Sequence, residues 1–421
     1  VSKKLNYIDL FAGAGGLSEG FINAGYNSIA HVEMDEAACH TLKTRTAYHF
    51  LKTKNKLCTY YSYQKGEINR EQLYSQIPKY LLDSIINEKI DRASLTKIFE
   101  RIDDILKKDE VKIVDIIIGG PPCQAYSHAN QSMSEEKLKD DERNYLYKDY
   151  ARFLIKYKPK LFLFENVPGL YTANGGLYYK NRKKYFKGIG YHLDDETLNA
   201  ADFGVLQRRE RVILIGWRKD LKFSYPQFRK VKNNWKVKKL FEDLPSLKPG
   251  DNKMVDKYTK DEASEYLKRF EIRNGVDFVT HNIARPHNEK DLKIYALAID
   301  NLVQGIRLKN DKIPKEMRTQ ANTSSFLDRF KVVNENDFVS HTMIAHIAKD
   351  GHHYIHPDKE QLRSLSVREA ARIQSFPDDY FFEGTKEKQI RTAAFRQIGN
   401  AVPPLMAKKI AKAIGSQLRK I

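Results

Sequence analysis

Cys123 directly follows Gly119-Gly120-Pro121-Pro122, and a β-branched run from Ile113 to Ile118 leads into that turn. Consecutive prolines fix φ and remove two backbone donors, so the segment reads as a buried strand ending in a rigid turn that holds up one thiol. A thiolate is a strong nucleophile. A fitting electrophile is C6 of a cytosine ring polarised at N3. Glu165, delivered at the end of the apolar run Lys160–Phe164, could hydrogen-bond N3 and the exocyclic amine. Addition at C6 would make C5 nucleophilic toward an electrophilic methyl group. Loss of the C5 proton and expulsion of the thiol would complete the cycle. Arg209 and Arg211 alternate at a strand entry and could anchor O2 and a nearby phosphate. Singly, each residue has a plainer reading: a buried small thiol, a strand-end carboxylate, a surface ion-pair cluster. Their joint occurrence points to chemistry.

The elements that must position these groups follow the pattern of an α/β domain. Tyr7 to Phe11 reads as a short buried strand, Ala12 to Gly16 as a tight turn, and Leu17 to Ala24 as a helix. Strand, glycine turn and helix open a nucleotide-type domain, although a plain βα loop has the same look. Ser28 to Val32 is a second strand ending in Glu33, a place from which a carboxylate commonly accepts ribose hydroxyls. Residues 37–108 read as a helical insert, with Leu81/Leu82/Ile85/Ile86 and Ile98/Ile102/Ile105 at helical spacing. Ala125 to Glu142 reads as a mobile loop and Asn144 to Tyr157 as an amphipathic helix. Arg211 to Gly216 is a further strand. In open parallel sheets ligands bind beyond the carboxyl ends of the strands, so Asp9, Glu33, Cys123 and Glu165 are expected on one rim.

After Trp217 the character changes. Lys222 to Lys239 holds seven basic residues and no acidic ones, interleaved with Phe223, Tyr225, Phe228 and Trp235. The pattern stays irregular to about Pro357, as in a second domain of loops and short elements. Ser366 to Ser375 returns to helix, with Ser366 and Glu369 in capping-box spacing. The last helix runs from Leu405 to Leu418. The expected division is 1–217, with the insert at 37–108; then 218–390; then 391–421 returning to the first domain. His341, His346, His352, His353 and His356 fit no zinc spacing, and no metal site is expected.

The chain has 421 residues and a formal net charge of +19, with a pI near 9.4. Such a balance suits a polyanionic partner, or simply a lysine-rich solvated surface. Three cysteines without paired spacing exclude a disulfide framework. No apolar run approaches the roughly 20 residues of a membrane span, and the N-terminus lacks a signal-peptide core. A soluble cytoplasmic protein is expected.

Several stretches together resemble the C5-cytosine DNA methyltransferase family. They are Asp9–Gly16, Gly120–Gln124, Phe164–Val167, Asn199–Val212, Arg363–Pro377 and Gln397–Pro404, in the family's order. The resemblance implies a doubly wound, Rossmann-like S-adenosylmethionine-dependent domain with a smaller, irregular target-recognition domain. It implies Cys123 as nucleophile, Glu165 as its partner at the base, and Arg209 and Arg211 around the flipped cytosine. It implies S-adenosylmethionine against Phe11, Gly13, Gly15, Gly16, Pro121, Leu146, Asn400 and Val402, with Glu33 on the ribose and Asp104 and Ile105 flanking the adenine. Double-stranded DNA becomes the substrate, touched by Gln124, Ser127, His128 and Gln131 on the loop and by Lys349 in the middle segment. The family further implies a monomeric modification enzyme with a cognate restriction endonuclease. A tRNA cytosine methyltransferase of the same fold carries a Cys-Phe-Thr stretch absent here. An inactive DNA-binding relative would not need the intact Cys123, Glu165 and Arg211.

Overall fold

A computed structural model describes residues 4–122, 146–318 and 327–421. Its main sheet is built from β1 (Asn6–Leu10), β2 (Asn27–Glu33), β3 (Ile85–Asn87), β4 (Ile116–Gly119), β5 (Leu161–Asn166), β6 (Tyr191–Asn199) and β7 (Glu210–Arg218). The spatial order is β3-β2-β1-β4-β5-β7-β6. All neighbouring pairs are parallel except those of β7, which runs antiparallel to β5 and β6. The order reverses direction between β1 and β4, where an open sheet leaves a crevice for ligands.

Helices cover both faces of the sheet. They are α1 (Gly16–Asn23), α2 (Glu36–Thr53), α3 (Leu57–Gln64), α4 (Arg70–Ser75), α5 (Lys79–Asp83), α6 (Leu95–Lys108), α7 (Leu146–Tyr157) and α8 (Leu177–Gly188), followed later by α9 (Glu265–Arg269), α10 (Glu289–Val303), α11 (Val367–Ile373), α12 (Arg391–Asn400) and α13 (Pro404–Leu418). Side chains alternate across a strand, so a strand buried on both sides must be apolar throughout. Thus Ile116 and Ile118 sink into the layer made by α1 and α13, whereas Ile117 faces α6 and α7. On the first face α1 and α13 approach closely: a Cβ on Gly20 would lie 2.4 Å from that of Ala407. On the other face Tyr150 of α7 donates to the carbonyls of Ile117 and Leu163, at 3.0 Å each, and so ties β4 to β5.

Two segments depart from the sequence reading. Ile85 and Ile86, at helical spacing with Leu81 and Leu82, lie on β3 instead. Both are buried at the sheet edge against β2. Tyr191 to Asn199 forms β6, whose burial alternates only weakly because its far side has no strand neighbour. The predicted capping box is present at α11: Ser366 accepts from Glu369 N, and the Glu369 carboxylate accepts from Ser366 N.

The second lobe holds the antiparallel pair β8 (Asn252–Lys257) and β9 (Phe278–Ile283), α9, α10 and several short turns. The basic stretch after Trp217 belongs partly to the first lobe. Phe223 and Tyr225 are buried with Ile213 and Ile215, and Tyr225 donates to the Ile213 carbonyl at 3.0 Å. Its aromatic residues therefore serve packing, while its lysines stay on the surface. Another cluster joins Tyr48, Tyr60 and Tyr63 of the insert to Ile373, Phe376, Tyr380, Phe382 and Phe395.

Buried arginines clamp this joint. Arg45 donates to both oxygens of Glu19, at 2.9 and 2.6 Å, and to Asp379 at 2.9 Å. All three residues are buried. Burial alone would raise the Glu19 pKa, but Arg45 and His49 hold it well below the ordinary range. Removing one partner of a buried ion pair strands the others, so Arg45→Met should cost about 3–5 kcal/mol in urea unfolding. Without Arg45, burial would make Glu19 bind a proton more readily in the folded state. The deficit against the parent protein should therefore shrink as pH falls; a pH-independent deficit would argue against a stranded carboxylate.

Candidate active site

The rim at the β1/β4 crevice is built first by the turn after β1. Phe11, Gly13 and Gly15 have φ of 58°, 56° and 80°, left-handed values that let the chain double back before α1. A Cβ on Gly16 would lie 2.4 Å from the Val402 carbonyl oxygen, so the segment after Asn400 presses directly on the turn. Tyr380 donates to the Ala14 carbonyl from below. At Gly13 the position of a missing Cβ faces open space, with nothing within 4 Å. The turn is thus packed on its inner side and open on its outer side.

Glu33 closes this half of the site. Its Oε2 accepts from Gly13 N at 2.8 Å, and its Oε1 accepts from Met34 N at 2.9 Å and Asp35 N at 2.8 Å. Burial raises its pKa, and those backbone donors oppose the rise. Asp9, at 1% exposure, has its pKa pushed well up by burial and by the Glu33 charge. Its Oδ2 has no hydrogen-bond partner among the described residues. A cradle open at Gly13, a ribose-type carboxylate and an orphaned buried carboxyl oxygen fit a nucleoside carrying a cationic group.

The other half stands across the crevice. Arg211 Nε lies 2.7 Å from Glu165 Oε1, with both side chains largely covered. Arg211 enters on β7 and Glu165 leaves on β5, and their antiparallel pairing sets the two side by side. A Cβ on Gly120 would sit 2.4 Å from Glu165 Oε2, so the turn that leads to Cys123 runs against the carboxylate. Pro121 is buried and Pro122 exposed. Cys123, Gln124, Ser127, His128 and Gln131 lie outside the described residues.

Three expected site residues stand elsewhere or differently. Arg209 is completely buried, at 0% exposure. Its guanidinium donates to the carbonyls of Met343 and Gly399, the latter at 3.1 Å. It is a strut between the second lobe and α12; it precedes β7, so it is not bound by the two-residue repeat that would otherwise set it on the face of Arg211. Asp104 and Ile105 sit on α6, about 14 Å down the helix axis from Leu95. That helix returns from the rim to the far edge, where β4 starts, so neither residue reaches Glu33. Asn87, which the sequence reading passed over, does: its amide donates to the carbonyls of Glu33 and Met34, both at 3.1 Å. Met34 stands beside it, 63% exposed. Only a recognised β3 would have revealed Asn87. Leu146 is half-buried at the start of α7, Asn400 is exposed at the end of α12, and Val402 is buried beside Gly16. Lys349 is exposed after the short turn Ala345–Ala348.

The histidines of the second lobe are drawn into hydrogen bonds. His287, Asp291 and His352 bring ligand-type atoms within 4.8 Å of one another. Both His287 nitrogens are engaged, with Ser364 Oγ at 3.0 Å and Tyr295 Oη at 3.2 Å, and Tyr295 Oη also meets His352 Nδ1 at 2.8 Å. His341 Nε2 bonds the His353 carbonyl and its ring stacks on Tyr354. This group links loops of the second lobe.

The two glycines ending β4 make a discriminating pair. A Cβ on Gly119 would meet the Leu10 backbone oxygen at 2.3 Å, which cannot move without breaking the sheet. A Cβ on Gly120 meets only the far end of the Glu165 side chain, which can swing away. Gly119→Ala should lower thermal stability markedly. Gly120→Ala should leave the melting temperature close to that of the parent yet cut turnover by about 100-fold, through a misplaced carboxylate. Equal melting temperatures for the two variants would contradict this geometry.

Residues 5–59 and 87–416 match the sequence pattern of the C-5 cytosine-specific DNA methylase family. The Type II methyltransferase M.Bpa9945I of Bacillus paralicheniformis is 42% identical over 440 residues, covering 97% of this chain and 98% of that protein. The Type II methyltransferase M.DdeI of Desulfomicrobium norvegicum is 30% identical, covering 97% and 88%. A crystal structure of an Escherichia coli prophage-encoded protein, described as a DNA modification methyltransferase, superposes with a TM-score of 0.66 at 24% identity and 99% coverage of both chains, a likeness of fold. No helix among the described residues is long and apolar enough to cross a membrane. With this rim and this sequence match along nearly its whole length, the chain belongs to the C-5 cytosine-specific DNA methylase family.

Proposed function

We propose that this methyltransferase moves the methyl group of S-adenosylmethionine to C5 of a cytosine flipped out of double-stranded DNA, through a bond between Cys123 and C6. The observation that supports it best is the Glu165–Arg211 ion pair set against the Gly119–Pro122 turn that leads to Cys123. The Cys123 thiolate adds to C6 while Glu165 hydrogen-bonds N3 and the exocyclic amine. Arg211 fixes the Glu165 carboxylate and can reach the ring O2. Once C5 is methylated it releases its proton to a base, the C6–S bond breaks, and the thiolate is restored. Flipping costs about a few kcal/mol of unstacking, offset by contacts to the freed base and its backbone.

Bound S-adenosylmethionine supplies an electrophilic methyl group on a sulfonium. Phe11, Gly13, Gly15, Gly16, Pro121, Leu146, Asn400 and Val402 would surround it, and Glu33 would accept from the ribose hydroxyls. Asn87 and Met34 take the place expected of Asp104 and Ile105 beside the adenine. The orphaned Asp9 oxygen gives the cation a buried acceptor. Gln124, Ser127, His128 and Gln131 would meet DNA near the emptied stack, and Lys349 its backbone. The names of the relatives support a role in modification paired with a cognate endonuclease.

Purified protein with tritiated S-adenosylmethionine should label mixed-sequence duplex DNA at cytosine C5. Label on tRNA and none on DNA would refute the substrate. Cys123→Ala should keep cofactor binding and lose transfer, and a 5-fluorocytosine duplex should trap the parent protein alone, since fluorine does not leave as a proton does. Cofactor affinity should also depend on pH. The accepting form of Glu33 is the carboxylate, and its raised pKa means protonation begins above the ordinary carboxylate range. Titration calorimetry should show weakening as pH falls toward that range, with a flatter profile in Glu33→Gln.

A further inference from the structure

Arg391 opens α12, the helix that ends at Asn400 on the rim. It forms no hydrogen bond and no ion pair among the described residues, and its Nε is fully buried without a partner. Arg285 lies close enough that the two charges oppose each other. Burial first, then the Arg391 charge, lowers the Arg285 pKa. Arg285 spends one nitrogen on the carbonyls of Ile347 and Ala348, at 3.3 and 2.7 Å, and its Nε is also buried and unpartnered. Exposed Lys349 follows Ala348 directly. The nearby carboxylate, Asp350, is already held by Arg329 at 2.9 Å and by the backbone N–H of His352 at 3.1 Å.

Neighbouring guanidiniums with free donors and no carboxylate of their own are costly to hold together. The arrangement makes sense when an anion arrives from outside. A guanidinium fork matches two oxygens of one phosphate group, and such pairs are strong when partly desolvated. We infer that Arg391 and Arg285, with Lys349 at their edge, form a clamp for a backbone phosphodiester of the DNA substrate. The clamp rests on the DNA reading above. It stands one length of α12 from the rim, about 15 Å for ten residues. That is about four base steps, within the duplex that a flipped target requires. Phosphate contacts of this kind position the duplex and carry no sequence information.

The test is binding of a mixed-sequence duplex by fluorescence anisotropy over a range of salt concentrations. Arg391→Gln should raise Kd by about three- to tenfold on every duplex and reduce the log–log salt slope by about one. Its melting temperature and its affinity for S-adenosylmethionine should stay at the parent values, since Arg391 has no hydrogen-bond or ion-pair partner among the described residues to lose. Arg285→Gln should reduce the slope likewise, with some loss of stability from the Ile347 and Ala348 carbonyls. A Kd within twofold of the parent and an unchanged slope for Arg391→Gln would overturn the clamp and leave the DNA reading standing. A parent protein that binds no duplex at any salt would overturn both. Inorganic phosphate that stabilises the parent but not Arg391→Gln, with the duplex slope unmoved, would assign the site to free phosphate and overturn the duplex clamp.

Discussion

A side chain has little room at the end of β4, least of all at Gly119. A Cβ on Gly119 would strike the backbone of β1, and one on Gly120 would strike the carboxylate at the end of β5. The strand that leads to Cys123 is thereby squeezed between its two neighbours at the point where the sheet order reverses. Much else serves this approach. Tyr150 bridges the backbones of β4 and β5 from one face, and α1 and α13 close on the other. The two prolines that follow cannot add ladder hydrogen bonds, so the chain leaves the sheet there. The glutamate is fixed from two directions, by Gly120 and by Arg211.

The lobes are joined by buried arginines more than by an apolar seam alone. Arg209 holds a carbonyl from each side of the joint. Arg372 pairs with Asp243 and Asp378, and Arg363 grips both oxygens of Glu369 at 2.7 Å. Burial would raise the Glu369 pKa, but Arg363 and His356 hold it at about 2. Such pairs add little net stability over well-packed apolar groups, yet they tolerate few alternative arrangements. A joint between two lobes gains more from fixed geometry than from affinity. Part of the chain's large positive charge is thus internal and neutralised, which a net charge read from composition cannot separate from surface lysines.

What the sequence made legible was local. Asp9 to Gly16 folds as a strand, turn and helix because each step is dictated within a few residues: apolar run, left-handed glycines, amphipathic helix. Glu165 and Arg211 were legible for the same reason, each at the mouth of an apolar strand. The failures needed tertiary information. Ile85 and Ile86 carry a helical spacing, but the partner that makes them a strand is β2, more than fifty residues away. Once β3 was missed, its last residue, Asn87, was missed too, and the resemblance was laid on Asp104 instead. Arg209 and Arg211 look equivalent in sequence, and only their tertiary partners separate them: the carbonyls of Met343 and Gly399 for the one, Glu165 for the other. Phe223, Tyr225 and Phe228, set among the basic residues after Trp217, fill the gap beside β7, which their spacing alone does not announce.

α12 concentrates the remaining logic in one rigid piece. Its last residue, Asn400, stands beside the glycine turn through Val402 and Gly16, so its end is set by the cofactor half of the site. Gly399, one residue before, is pressed against the Ala345 backbone, where a Cβ would come within 2.3 Å, and gives its carbonyl to Arg209. Its first residue, Arg391, has no hydrogen-bond or ion-pair partner among the described residues. A helix of ten residues bends little over such a length. One rigid piece therefore runs from Arg391 to the segment in which Val402 meets Gly16. The Arg209 guanidinium, bonded to the Gly399 carbonyl and to that of Met343, sets where this piece sits against the second lobe.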